Sequence, residues 1–105
     1  ENSMQEVTVK GLENGTLYVA LSGDIVLGNA DAFYGEVTEA YKQSPANLCF
    51  VCDELNFIDS TTLGTFVKVL KRVKADGFSM RLTGLQAKIK KLFLICGLNA
   101  IMEIE

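Results

Sequence analysis

Three hydroxyls in a row, Ser60, Thr61 and Thr62, follow Asp59 and lead into Leu63-Gly64. Residues of these types at a helix start have two uses. As caps, Asp59 or Ser60 accept a first-turn backbone N–H that has no partner within the helix. Held within reach of solvent on a fixed element, the Ser60 hydroxyl also suits phosphorylation. The free N–H groups and the dipole of a helix N-terminus favour an anion there. Both uses are compatible in one turn.

Most other chemistry lacks its parts. The chain has no histidine, which removes the commonest general base and the commonest zinc ligand. Ser60 therefore has no imidazole to activate it for hydrolysis. No phosphate-cradling glycine loop is present, because Gly11, Gly15, Gly23 and Gly28 are scattered over separate turns. Asp53-Glu54 reads as a solvated acidic loop. Cys49 and Cys52 have the spacing of a redox or zinc pair but fall on an apolar strand. Residues three apart on a strand face opposite ways, so these are read as buried free thiols. The expectation is a protein that is not an enzyme and needs neither metal nor cofactor.

The elements around the hydroxyls follow from periodicity. Leu48 to Cys52 is a short, continuously apolar strand, with Asp53 to Ile58 as the loop after it. Phe66, Val67, Leu70 and Val73 recur at helical spacing, giving a helix from about Ser60 to Ala75 that Asp76-Gly77 closes. Upstream, Gln5–Lys10 and Leu17–Leu21 form a hairpin around Asn14-Gly15, and Ser22-Gly23-Asp24 ends its second strand. Asn29 caps a helix with Ala30, Phe33, Val37, Ala40 and Tyr41 on its apolar stripe, stopped by Ser44-Pro45. Downstream come a strand through Phe78, Met80 and Leu82, a helix from about Gln86 to Ile95 with Ile89, Leu92 and Phe93 inward, and an edge strand in 101–104. Strand–helix–strand repeats require right-handed crossovers and a mainly parallel sheet. The fold class is α/β: a mixed, mainly parallel sheet of four to five strands packed with about three helices, in one domain over residues 1–105.

Composition agrees. With 105 residues, 49% of them apolar, and one proline, the chain is sized for a single folded domain. No apolar run approaches the ~20 residues of a bilayer span. The opening is polar and acidic, without a leader pattern, so the cytoplasm is the default compartment and a monomer the default state. The net charge of −3 hides an asymmetry: residues 1–59 carry ten acids and two bases, residues 60–105 eight bases and three acids. The basic half is read as solvated helix faces, not as a nucleic-acid site, because the total is acidic and tryptophan is absent.

Phe57-Ile58-Asp59-Ser60-Thr61-Thr62-Leu63-Gly64 resembles the signature of anti-sigma factor antagonists of the STAS domain family, hydrophobic–Asp–Ser–Ser/Ala–Gly–Leu–Gly. Leu21-Ser22-Gly23-Asp24-Ile25 and the stretch from Lys91-Leu92-Phe93 to Cys96-Gly97-Leu98 match as well. The resemblance implies a bacterial partner-switching protein. Unmodified, such a protein binds an anti-sigma factor that is also a serine kinase, freeing a sigma factor for transcription. Phosphorylation releases it and a serine phosphatase resets it. The implied phosphoacceptor is Ser60, with Thr61 as the fallback. Asp24, Asp59, Ser60, Thr61 and Thr62 form the implied partner-binding set. Thr62 stands where the family pattern has glycine, and a β-branched side chain there is expected to crowd the kinase or restrict the turn. Val26 stands where a common pattern carries a second acid. The alternative is a STAS module that is never phosphorylated, acting as a scaffold or as a subunit of a lipid or anion transport system. A third reading is direct binding of a small anion or nucleotide at the helix start.

Overall fold

Asn14 and Gly15 take positive φ, 52° and 80°, and so close the tight turn that the Asn-Gly pair predicts. On either side run β1 (Val7–Glu13) and β2 (Thr16–Ile25), paired antiparallel. The chain continues through α1 (Ala30–Gln43), β3 (Asn47–Ile58), α2 (Ser60–Ala75), β4 (Met80–Thr83) and α3 (Ala87–Ile95). A 3-10 turn at Leu98–Ala100 leads to β5 (Glu103–Ile104). This computed structural model describes residues 4–105. The first three residues of the acidic opening, counted within the domain above, lie outside the described residues.

The five strands lie in the order β1-β2-β3-β4-β5, with every pair after the first parallel. Each parallel crossover thus steps the same way across the sheet. Right-handed crossovers that all step one way place all three helices on one face. The core fills that face. Leu17, Val19, Leu48, Phe50, Met80 and Leu82 come from the sheet; Phe33, Val37, Phe66, Val69, Ile89 and Phe93 come from the helices. Phe66 is the hub, its ring 5.2 Å from Phe33, 5.3 Å from Phe50 and 5.4 Å from Phe93 between centroids. Leu92, expected on the inward stripe of α3, is instead 38% exposed. Two residues, Ile89 and Phe93, suffice to seat so short a helix.

Cys49 and Cys52 occupy opposite faces, as their spacing requires. Cys52 lies in the core. Cys49 pairs laterally with Tyr18 and Arg81 on the helix-free face, where the Arg81 guanidinium lies over the Tyr18 ring. Both thiols are buried and free, and Cys96 is exposed.

The strands that carry the site are longer than periodicity suggests. Residues 53–58, read as a loop, continue β3, and Ser22-Gly23-Asp24, read as a strand end, continues β2 to Ile25. Between Ala20↔Val51 and Asp24↔Phe57, β2 advances four residues while β3 advances six. Two bulges take up the difference, with Gly23 at φ 70° beside the second. The extra residues break the two-residue alternation, so only Leu55 and Ile58 of this stretch are buried. That pattern imitates a loop.

Candidate functional site

The β2–β3 pair ends at Ile25↔Ile58, and α2 begins two residues later. Because the strands are parallel, the β2–α1 loop and the first turn of α2 leave the same edge of the sheet. Asp24 and Phe57 sit side by side on the last rungs. Ser60 and Thr61, on the first turn of α2, are exposed.

Asp59 is the N-cap. Its backbone is extended (φ −115°, ψ −176°), and its Oδ1 accepts the Thr62 N–H at 3.0 Å. Its carbonyl accepts Leu63 N–H at 3.1 Å, the first bond of the helix ladder. Oδ2 faces the other way and accepts the Leu27 N–H at 2.9 Å. These bonds, that from Leu27 foremost, hold the carboxyl below the usual aspartate range, because hydrogen bonding to the charged form favours it. A carboxylate therefore stands next to Ser60 at neutral pH.

Thr62 does not project toward the surface. Its side chain is fully buried, with the hydroxyl donating to the Ile25 carbonyl and lying 3.1 Å from Asp59 Oδ1. Of the two effects expected of a β-branched residue here, burial speaks against crowding, because it turns the side chain away from the exposed face of the turn. Restriction of the turn is left, since the side chain's bonds to Ile25 and Asp59 tie the turn down. Its burial also leaves Asp24, Asp59, Ser60 and Thr61 as the members of the predicted set with accessible surface.

Asn29 stands at the N-cap position of α1 but makes no capping bond with its side chain. It reaches back instead, accepting Val26 N–H at 2.7 Å and donating to the Asp24 carbonyl at 3.0 Å. The loop is thus pinned from both helices. It holds Leu27 outward at 73% exposure, and Phe57 across the site is 50% exposed. Sequence reasoning left Leu27 unremarked in the loop before Asn29, since no local pattern there marks a functional side chain. Among the described residues no group of three His, Cys, Asp or Glu is placed to hold a metal ion, and no helix is long and apolar enough to cross a membrane.

The site's make-up is an exposed serine directly after a capping aspartate, at the sheet end where β2 closes with Asp24-Ile25, on a five-stranded α/β fold. A family model for the STAS domain matches residues 7–105. The chain belongs to the STAS domain family. It is 34% identical to the anti-sigma-B factor antagonist of Bacillus subtilis over 99 residues, which cover 94% of this chain and 89% of that one. Against the anti-sigma-B factor antagonist of Listeria monocytogenes the identity is 32% over 85 residues, covering 76% and 75% of the two chains. Among solved structures, the unphosphorylated form of the anti-sigma factor antagonist SpoIIAA superposes with a TM-score of 0.74 at 14% identity, over 94% of this STAS chain and 86% of the other. The phosphorylated form of the Bacillus SpoIIAA gives 0.69 at 17% identity, over 94% and 90%. At these identities the superpositions speak for the fold alone.

Proposed function

We propose that this STAS domain is an anti-sigma factor antagonist controlled by phosphorylation of Ser60. The observation that carries the reading is the Ser60 hydroxyl itself, exposed on the first turn of α2 while Asp59 fixes that turn to the β2–α1 loop. The names of the curated relatives support the partner class. In the unmodified state the surface around Asp24, Asp59, Ser60 and Thr61 binds an anti-sigma factor with serine kinase activity, and sigma-factor-dependent transcription proceeds.

The kinase moves the γ-phosphoryl group of ATP to Ser60 Oγ, leaving ADP. The product carries about −1.5 to −2 charge near neutral pH. The helix N-terminus tolerates that charge, so the fold survives. The interface does not, because the new dianion adjoins the Asp59 carboxylate and demands desolvation on docking. A serine phosphatase restores the serine. In this reading the protein acts in the cytoplasm as a monomer, without nucleic acid contact, catalysis or cofactor. The unphosphorylated scaffold or transport module drew its case from Thr62 crowding the kinase or restricting the turn; burial of the side chain speaks against the first of these and leaves the second.

The test is the intact mass of the chain after incubation with ATP and an extract of its source cells, beside Ser60→Ala. The expected result is a gain of one phosphoryl group that the variant lacks. No gain, in an extract that phosphorylates a control antagonist, would overturn the reading.

A further inference from the structure

We infer that Thr62 is a positioning residue whose hydroxyl latches the end of β2, where the β2–α1 loop begins, to the first turn of α2, and so sets the Leu27 flank of the Ser60 surface. The role of the Ser60 surface rests on the proposed function; the latch itself does not.

Of the three consecutive hydroxyls, two point to solvent and one is sealed. The sealed one grips the Ile25 carbonyl, at the last residue of β2. Two residues on, the Leu27 amide is held by Asp59, the residue that caps Thr62. The start of one helix therefore takes a carbonyl from the end of β2 and an amide from the loop after it, on either side of Val26. Glycine at position 62 would supply the backbone N–H for Asp59 but no donor for Ile25.

The grip has a visible result. An aliphatic side chain at 73% exposure gains by folding back onto apolar surface, and the bond at its own amide holds the Leu27 backbone to Asp59, the residue before Ser60. Asn29 supplies the loop's other tie, at Val26 and Asp24. Removing the Thr62 hydroxyl leaves that tie in place, so the expected effect is local.

The test compares the full chain with Thr62→Val, which keeps the shape and loses the hydroxyl, and Thr62→Ser, which keeps the hydroxyl. Amide hydrogen exchange is followed at Leu27, with the core amide of Phe50 as the reference for global opening. In Thr62→Val the Leu27 rate should rise on the order of tenfold beyond any change at Phe50, the scale of one lost hydrogen bond. Thr62→Ser should stay close to the parent. If Thr62→Val fails to fold, Thr62→Gly carries the same comparison. An unchanged Leu27 rate without the hydroxyl, or an equal rise in Thr62→Ser, overturns the latch. Phosphoryl incorporation measured on the same proteins separates the two ideas: a parent chain that takes up no phosphate defeats the acceptor reading and leaves the Leu27 result standing.

Discussion

The Asp59 carboxylate accepts the backbone N–H of Leu27 at 2.9 Å, joining two residues 32 positions apart. With its other oxygen it caps the helix that presents Ser60. One side chain thus ties together the two segments that frame the candidate acceptor. Its charge makes that tie sensitive to acid.

Asp59 has its carboxyl pKa lowered in the folded state, first by the Leu27 amide. A depressed folded pKa gives a contribution to stability that is present above the unfolded value, about 4, and is lost as pH falls through the folded value. Urea unfolding of the parent and of Asp59→Asn should therefore show the parent more stable at pH 7, with the gap closing below about pH 4. A gap that stays constant into acid would contradict the assignment.

On the proposed reading, Ser60→Ala should fold normally and bind an anti-sigma kinase as the parent does. Ser60→Asp should weaken that binding by about 2–5 kcal/mol, the loss associated with a charge buried without a partner at an interface. Calorimetric titration with the purified kinase checks both. Parental affinity in Ser60→Asp would break the switch at its central step.

Phe66 is fully buried and touches three other aromatic rings. Phe66→Ala should cost about 3–5 kcal/mol of unfolding free energy. A loss below about 1 kcal/mol in urea titration would show that the core closes over the gap, against the usual cost of such a cavity.

Burial pushes the Cys49 thiol up, and the Cys52 thiol to about 12. The thiolate is the reactive species, so iodoacetamide on the native protein should modify Cys96 alone. All three cysteines should react after denaturation. Mass spectrometry counts the adducts, and rapid native labelling of Cys49 would mean that the Tyr18–Arg81 cover opens.

What the sequence disclosed and what it hid divide along physical lines. The start of α2 was legible because its cap and its 3.6-residue stripe are local signals. Its end was too: Gly77 and Phe78 donate to the carbonyls of Lys74 and Val73, the paired bonds that a glycine after a helix end makes. Residues 53–58 were hidden because the partner strand dictates a bulged register that no local period records. The burial of Thr62 was not legible because a one-dimensional motif says which residue departs from a pattern and not which way it turns. Leu27 was missed because its exposure depends on Asp59, far along the chain.

The unbroken strand order has a consequence for how the protein is made. Each strand pairs with the one synthesised just before it, so no segment has to wait for a distant partner to complete the sheet. All the residues of the candidate site lie between Asp24 and Thr62. A chain leaving the ribosome can bring them together while β4, α3 and β5 are still to come. The part of the molecule read as the switch is then among the first to take shape.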